Sequence, residues 1–273
     1  MNNSLSENIS KFRKQKGLTQ EELANKIGVT YQAVSKWKTG QSSPDISLLP
    51  DLAFIFETNI DSLMGFIHNK RKVTIYESEY LQKDYYWGLK PSSMCYKILQ
   101  KLPPTKPLRL LDVGCGEGKD AVFFARNGYI VTAFDIADAG VEKTKSLAEM
   151  HNVNVNVFKA NVLDFRLDTE FDIIFSSGVF HYISPNIRQE LISNYKRNTS
   201  IGGIHMFNAF VSKPFIDYAP EKESTSTNWK SGELFTYYYD WLIHECNEII
   251  FDCNSSGIPH RHCMDILMSE RVI

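Results

Sequence analysis

The strongest constraint on the fold is a nine-residue stretch, residues 110–118, that joins an apolar run to a cluster of glycines. Leu110–Val113 forms the run, Gly114–Gly118 has glycine at alternate positions, and Lys119–Arg126 has a helical pattern. This order predicts a β-strand, a tight turn and the start of an α-helix. Such a turn lets a ligand approach backbone N–H groups at a helix amino terminus. The segment therefore indicates an α/β fold with a ligand site at the end of a strand.

Two acidic residues narrow the class of ligand. The glycines are spaced G-x-G-x-G rather than the G-x-G-x-x-G of dinucleotide-binding proteins, and Asp112 precedes the first of them. A carboxylate there repels a pyrophosphate and attracts an ammonium group, which favours S-adenosylmethionine (SAM). Asp135 ends the next apolar segment, about 20 residues downstream, where an acid can accept hydrogen bonds from both ribose hydroxyls. The alternative is an ordinary strand–helix turn followed by a surface aspartate.

Together these features resemble the class I SAM-dependent methyltransferases. The resemblance implies SAM as cofactor and an α/β, Rossmann-like domain with a mostly parallel sheet and a C-terminal β-hairpin. In that family an acid commonly accepts a hydrogen bond from the adenine amino group, and Asn161 stands there with a carbonyl oxygen that can accept the same bond. Trp87 precedes the core, where aromatic residues often cover the cofactor, although ordinary packing explains it equally well. The implied cofactor-binding residues are Asp112, Gly114, Cys115, Gly116, Asp135, Ile136, Asn161, Val162, Ser177 and Trp87.

The first 40 residues differ in charge from the rest of the chain. Met1–Gly40 has seven basic and three acidic residues, a net charge of +4, whereas the whole chain carries −2 and the remainder therefore −6. A basic N-terminal segment on an acidic body suggests a module that faces nucleic acid. Thr19 and Glu22 have the spacing of a capping box, Gly28 can end that helix, and Thr30 can cap the next. Five helices are predicted, beginning near Ile9, Thr19, Tyr31, Pro44 and Asp61.

This segment resembles the XRE/Cro family of repressor-type helix-turn-helix domains, through Leu18–Ala24 and Val29–Trp37. In that family the third helix enters the major groove. The resemblance implies that Tyr31, Gln32 and Lys36 face base edges. A single domain contacts few phosphates, so we expect a homodimer on double-stranded DNA. The alternative is a helical bundle used for docking or dimerisation. The implied DNA-binding residues are Gln20, Thr30, Tyr31, Gln32, Ser35, Lys36 and Lys38.

Composition and local sequence predict the organisation of the chain. Residues 1–66 form the helix-turn-helix domain, the basic residues 67–73 a linker, and residues 74–273 the methyltransferase domain. No apolar run approaches the roughly 20 residues that cross a bilayer, and the N-terminus has no signal-peptide pattern. Five irregularly spaced cysteines suit reduced thiols. We therefore expect a cytoplasmic protein with no membrane partner.

The C-terminal third has the most family-specific pattern. Ser231–Trp241 and Asn247–Glu248 resemble the tellurite-resistance (TehB-like) methyltransferases. In that family a small oxyanion or chalcogen species is methylated, and a His-Arg pair near the final hairpin faces the substrate. Here His260 and Arg261 follow the turn rather than precede it. His181, just past a strand end, is a candidate general base or a packing residue. The candidate catalytic residues are thus His181, His260 and Arg261.

A metal site is a further interpretation of the same region. His260 and His262 share a strand face, so two ligands can meet, but a third must come from across the hairpin. Cys253 and Cys263 are nearby, yet the spacing matches no standard zinc pattern. We favour a simple hairpin turn at residues 254–257 and predict no metal.

Three functions remain open. The first is a methyltransferase acting on a small molecule, such as a tellurite- or selenite-type oxyanion or a thiol, and fused to a DNA-binding domain. The second is a transcriptional regulator that senses SAM or another ligand without turnover. The third, DNA methylation, is disfavoured because Ser176–Val179 lacks the Asn/Asp-Pro-Pro-aromatic loop of amino-methylating DNA enzymes. No catalytic triad is expected, because SAM carries an activated methyl carbon and the protein mainly positions the acceptor.

Overall fold

The computed structural model describes residues 4–56, 58, 60–64, 74, 76–217, 229–254 and 258–273. The chain divides into two units, one on each side of the boundary between residues 73 and 74. The predicted linker, residues 67–73, lies outside the described residues, as does most of the predicted hairpin turn at 254–257. Within the described residues, no helix is long and apolar enough to cross a bilayer.

The described residues of the N-terminal unit form five α-helices, as the sequence predicts, although the first begins at Ser4, about one turn before the predicted start near Ile9. Thr19 forms the predicted capping box, because its hydroxyl accepts from the Glu22 N–H at 3.1 Å and its own N–H donates to the Glu22 carboxylate at 2.7 Å. Gly28 ends the second helix with a φ of 70°, and Val34 and Trp37 of the third helix are buried. The helices are α1 (Ser4–Gln15), α2 (Gln20–Ile27), α3 (Tyr31–Thr39), α4 (Leu49–Ile55) and α5 (Ile60–Met64).

The fourth helix begins later than predicted. The Asp45 carboxylate accepts from the Ser47 N–H at 2.9 Å and caps a single 3-10 turn, Ile46–Leu48. Helix α4 starts only at Leu49, with Pro50 in its first turn. Proline is favoured at that place because its missing N–H has no intrahelical acceptor there. The predicted start near Pro44 is therefore wrong by about one turn.

The second unit is a doubly wound α/β domain. Its described strands form one seven-stranded sheet in the order β3-β2-β1-β4-β5-β7-β6. The strands are β1 (Arg109–Val113), β2 (Ile130–Asp135), β3 (Val155–Lys159), β4 (Phe171–Ser176), β5 (Thr199–Val211), β6 (Leu242–Cys253) and β7 (His260–Glu270). The helices are α6 (Glu77–Tyr80), α7 (Ser93–Lys101), α8 (Lys119–Arg126), α9 (Asp138–Met150), α10 (Pro185–Arg197) and α11 (Glu233–Thr236).

The direction of the strands places several loops at one edge of the sheet. Strands β1 to β5 are parallel, and β7 pairs antiparallel with both β5 and β6. The amino end of β7 therefore lies beside the carboxyl end of β5, where Val211 pairs with Cys263. The carboxyl end of β6 meets it from the other side, through the pair Cys253 and His260. Open α/β sheets bind ligands at this carboxyl edge.

Strand β5 differs from its prediction. The glycine pair Gly202 and Gly203 before the apolar run Ile204–Val211 predicts a strand that begins at Ile204, but β5 already begins at Thr199 and continues through both glycines. The pairing between β4 and β5 shifts register at this point. A Cβ on Gly203 would lie 2.8 Å from the Asp172 carbonyl oxygen, so only glycine fits this irregularity.

Candidate functional site

The glycine-rich loop between β1 and α8 is tightly enclosed. The N–H groups of Gly114 and Cys115 both donate to the carbonyl of Phe134, at 2.9 and 3.0 Å, which holds the loop against the end of β2. Gly114 has a φ of +72°, and a Cβ there would lie 2.3 Å from Cγ2 of Val179. The loop thus depends on glycine for its backbone conformation and for its close approach to the segment after β4.

Asp135 lies directly against this loop. Its carboxylate accepts from the Gly116 N–H at 2.9 Å and from the Ala137 N–H at 2.8 Å. Burial raises the pKa of Asp135, and the backbone N–H groups that bind it partly oppose this effect. A carboxylate has about four acceptor positions, so acceptor capacity remains for a ligand diol. The structure places the predicted ribose-binding acid at the carboxyl end of β2, as the sequence pattern required.

Asp112 is buried near the end of β1, with 2% of its surface exposed. Its Oδ2 atom has no hydrogen-bond partner among the described residues. Burial raises the pKa of Asp112 most, and Asp120 raises it further by charge repulsion, whereas Lys119 lowers it. A buried acceptor of this kind is costly unless a ligand donates to it. The chemistry of this carboxyl therefore fits the ammonium group of an amino acid.

An aromatic cover, which we define as Tyr76, Tyr80, Tyr86 and Trp87, lies over the loop. Trp87 Nε1 donates to the Tyr80 hydroxyl at 2.9 Å, and Trp87 packs edge-on against Tyr86 with ring centroids 4.8 Å apart. The Tyr80 hydroxyl lies 3.1 Å from the position that a Cβ on Gly116 would take. Trp87 was predicted from the sequence, but Tyr76 and Tyr80 were missed, although both fall in the tyrosine-rich stretch before it.

Glu117 of the glycine loop connects the aromatic cover to helix α9 through a hydrogen bond and an ion pair that the sequence did not predict. Glu117 is 3% exposed, and its carboxylate accepts from the Trp87 backbone N–H at 3.2 Å. The same carboxylate pairs with Lys143 of α9 at 2.7 Å. Glu117 was visible only as the residue between two glycines, and that position alone carries no signal of its partners.

The remaining predicted pocket residues line the same edge. Asn161 accepts from the Leu163 N–H at 3.0 Å through its carbonyl oxygen, which leaves one lone pair for a ligand. Burial raises the pKa of the Cys115 thiol, and nearby Asp112 raises it further. The thiol therefore stays protonated, and Cys115 lines the site without acting as a nucleophile. Three further residues follow strand ends on this edge: Ile136 after β2, Val162 after β3 and Ser177 after β4.

A row of stacked rings continues from the segment after β4 to strand β7. His181 is 5% exposed and stacks on Phe210 with ring centroids 4.3 Å apart and an interplanar angle of 10°. His262 stacks on the same Phe210 ring at 4.6 Å and 12°. Asn208 accepts from the Gly178 N–H at 2.7 Å and ties the loop after β4 to β5. The structure thus joins His181 to the amino end of β7.

The predicted pair His260 and Arg261 is not brought together. Consecutive residues of a strand point to opposite faces, so the Arg261 side chain leaves β7 on the face opposite to His260, and it is exposed. His260 Nδ1 lies 2.7 Å from the Ile258 carbonyl oxygen, and its Nε2 lies 2.9 Å from His262 Nε2. The partner of His260 is therefore His262. Cys263 shares the face of Arg261 and lies apart from both histidines.

The predicted DNA-facing residues lie on the helix-turn-helix of the N-terminal unit. Tyr31, Gln32, Lys36 and Lys38 are exposed on α3, while its opposite side is buried. The hydroxyl of Thr30 accepts from the Ala33 N–H at 3.2 Å and caps α3, as predicted. The last two predicted contacts, Gln20 at the start of α2 and Ser35 on α3, are both half-buried.

Comparison with known families agrees with both units. A family model described as tellurite resistance protein TehB matches residues 73–256, and a helix-turn-helix model matches residues 9–63. A probable SAM-dependent methyltransferase TehB of Haemophilus influenzae is 28% identical over 142 residues, which is 52% of this chain and 49% of the relative. A carboxy-SAM synthase of Campylobacter jejuni is 29% identical over 140 residues, 48% of this chain and 59% of the relative. The chain spans about half the length of the curated relatives it matches.

Solved structures show the same fold. The crystal structure of TehB from Haemophilus influenzae has a TM-score of 0.59 at 20% identity, and the match covers 72% of this chain and 65% of that chain. A structure reported for the conversion of a disulfide bond into a thioacetal group during echinomycin biosynthesis has a TM-score of 0.55 at 18% identity, covering 72% and 90%. Because the family model matches more than half of the sequence, the chain belongs to the TehB family of SAM-dependent methyltransferases, with a helix-turn-helix domain at its N-terminal side.

Proposed function

We propose that the protein transfers a methyl group from SAM to a small molecule and that its N-terminal unit binds a specific DNA sequence. The observation that carries the proposal is the pair of buried acids, Asp112 and Asp135, on either side of the glycine loop. One offers a buried acceptor oxygen to an ammonium group, and the other offers remaining lone pairs to a diol. The ammonium group and the ribose diol are two polar parts of SAM that lie on opposite sides of its sulfonium.

The residues of the site have distinct tasks in this proposal. When bound, SAM supplies a methyl carbon that is activated by its positively charged sulfonium sulfur, because this sulfur becomes a neutral thioether once the methyl group is transferred. Asp112 and Asp135 hold the two ends of the cofactor, and the aromatic cover excludes water from the loop. His181 accepts a proton from the acceptor where the acceptor carries one, and His260 contacts the acceptor. Arg261, exposed on the other face of β7, adds positive charge to this edge without touching the acceptor.

The acceptor class that we propose is a thiol or a tellurite- or selenite-type oxyanion. The support is the imidazole pair His260 and His262 at the carboxyl edge, whose ring N–H groups can donate hydrogen bonds to an anionic acceptor. The presence of a helix-turn-helix favours a second candidate: a cytoplasmic regulator in which SAM binding without turnover changes DNA affinity.

Titration calorimetry with SAM and with its demethylated product tests the cofactor site. We expect one equivalent to bind per chain, and we expect Asp135→Ala to lower the affinity about tenfold or more, since it removes charge-assisted hydrogen bonds. Asp168→Ala, which removes an exposed acid of the same unit, is the matched control and leaves affinity unchanged. Absence of binding to the wild type would exclude the methyltransferase proposal. Release of methylated product from tellurite, selenite or small thiols then separates an enzyme from a sensor.

DNA binding is tested by selecting an operator from random duplexes and measuring its affinity at several salt concentrations. The helix-turn-helix resemblance implies that the exposed Lys38 of α3 reaches a phosphate, so we expect Lys38→Ala to reduce the slope of log affinity against log salt by about one. Gln32→Ala is expected to cost about 1–3 kcal/mol at one base pair and to relax specificity there. Lys11→Ala, an exposed lysine on α1, is the control for charge alone. Equal effects of all three variants would contradict the assigned recognition face. Sedimentation of the complex with the operator reports whether two chains bind.

A further inference from the structure

Three side chains with soft or borderline donor atoms meet at the turn end of the β6–β7 hairpin. Cys253 is the last residue of β6 and pairs across the hairpin with His260, the first residue of β7. His262 follows two residues later, so it shares the face of His260. The thiol sulfur and one nitrogen from each imidazole all lie within 4.8 Å of one another. The register of the hairpin therefore supplies the third ligand that the sequence alone did not locate.

The hydrogen bonds around the histidines orient one nitrogen toward the centre of this group. A backbone carbonyl only accepts, so His260 Nδ1, 2.7 Å from the Ile258 carbonyl, must be the donor. In the neutral ring this leaves the lone pair on His260 Nε2, which faces His262 Nε2 at 2.9 Å. Histidines that bind metals commonly donate their other N–H to a carbonyl in this way, which fixes the tautomer and the direction of the ring.

We propose that Cys253, His260 and His262 form a binding site for one borderline-soft divalent cation of the Zn²⁺ type, with a fourth coordination position open. One thiolate and two imidazoles form a ligand set that prefers zinc over magnesium or calcium. Three protein ligands with an open position are typical of catalytic rather than structural zinc sites.

Coordination requires the two imidazole nitrogens to separate and the thiol sulfur, which lies within 4.8 Å of them, to approach by up to about 1.2 Å. Nitrogens about 2.0–2.1 Å from a tetrahedral zinc are about 3.3 Å apart, and a zinc-bound sulfur lies about 3.6 Å from them. The two imidazole nitrogens are now 2.9 Å apart, so the rings need to separate by a few tenths of an ångström. The cation takes the place of the proton between the two rings, so the neutral His262 ring carries its proton on Nδ1, and the Cys253 thiol releases its proton to water as it becomes the thiolate ligand.

Among the described residues, the site has aromatic rings on one side and two partly exposed ligands on the other. His262 is 8% exposed and packs against Phe210 and Phe251, with ring centroids 4.6 and 5.6 Å away. Cys253 and His260 are half-buried, which leaves a route for the ion and for a fourth ligand. Because Phe210 also stacks on His181, the site lies one aromatic ring away from a candidate catalytic residue. The open position therefore belongs to the edge of the sheet where the methyl acceptor is proposed to bind.

Titration of the full chain, prepared without an oligohistidine tag, with Zn²⁺ by calorimetry and with Co²⁺ by absorption tests the proposal. We expect one ion per chain, and a thiolate-to-cobalt charge-transfer band with the intense visible bands of four-coordinate cobalt. Cys253→Ser should abolish the charge-transfer band, and His262→Gln should weaken zinc binding about 100-fold or more, since loss of even an outer partner costs about 10–100-fold. Thermal unfolding of each variant checks that it folds.

Two matched controls use residues outside the site. Cys246→Ser removes the exposed thiol of the same strand, and His151→Ala removes an exposed imidazole after α9. Both should bind zinc as the wild type does. The proposal is overturned if the wild type binds no stoichiometric ion, or if Cys253→Ser and Cys246→Ser behave alike. SAM binding measured on the same samples stays at the wild-type level in Cys253→Ser, so failure of the metal site and failure of the methyltransferase proposal are distinguished.

Discussion

Replacement of Asp112 by asparagine is expected to stabilise the ligand-free protein and to weaken SAM binding about tenfold or more. The carboxyl is 2% exposed and has an oxygen without a partner among the described residues, and Asp120 repels it. An asparagine amide carries no charge, which removes the repulsion by Asp120. The same change removes the charge that attracts the ammonium group, and charge-assisted hydrogen bonds contribute about 1.5–3 kcal/mol. Thermal unfolding and SAM titration measure the two effects.

The difference in stability between Asp112→Asn and the wild type changes with pH in a definite direction. The folded protein raises the pKa of Asp112, so it binds that proton more tightly than the unfolded chain does. The stability contributed by this group is complete below the ordinary aspartate pKa of about 3.9 and is lost as the pH rises through the raised pKa. The advantage of Asp112→Asn should therefore grow above pH of about 4 and then level off. Each kcal/mol corresponds to about 2–4 °C in a domain of this size.

Asp168→Asn, which alters an exposed acid, controls for the loss of one negative charge. Saturating SAM should reverse the order of stability, because only the wild-type carboxylate pairs with the ammonium group. A variant that is less stable than the wild type at neutral pH, or that binds SAM equally well, would refute the assignment of Asp112.

Local chemistry explains what the sequence could predict. The capping box of Thr19 and Glu22 and the glycine at residue 28 depend only on neighbours within one helical turn, and the structure confirms both. Strand β1, the glycine turn and Asp135 follow from a period and a spacing that the parallel α/β fold imposes. The position of these groups at one edge is then a consequence of parallel strands rather than of any distant contact.

The parts that were missed depend on distant partners. Glu117 acquires its role from Lys143 and Trp87, which lie 26 and 30 residues away in the chain. The grouping of Cys253 with His260, rather than with Cys263, depends on the register of the hairpin, and a shift of one residue would turn the side chains to the other face. Neither a hydrophobic period nor a local motif contains this information.

Gly114→Ala is expected to abolish measurable SAM binding and to destabilise the second unit. The φ of +72° costs a non-glycine residue about 1 kcal/mol, and the new Cβ would lie 2.3 Å from Cγ2 of Val179. Such overpacking adds about 1–3 kcal/mol, because the loop or the segment after β4 must move. Movement of the loop also displaces the N–H groups that hold it to Phe134. Denaturant unfolding and SAM titration report the two losses.

A second glycine separates the two causes. Gly202 has a φ of +79° with no atom near its absent Cβ, so Gly202→Ala pays the backbone cost without a clash and leaves SAM binding intact. Val179→Ala combined with Gly114→Ala removes the clash but not the backbone strain. The double variant should therefore lose about 1 kcal/mol or more less free energy of unfolding than the two single variants lose together. It should also recover part of the SAM affinity. If the effects of Gly114→Ala and Val179→Ala on the free energy of unfolding are additive, the loop and the segment after β4 do not press on each other. The loss of SAM binding would then have to arise from the backbone strain at residue 114 alone.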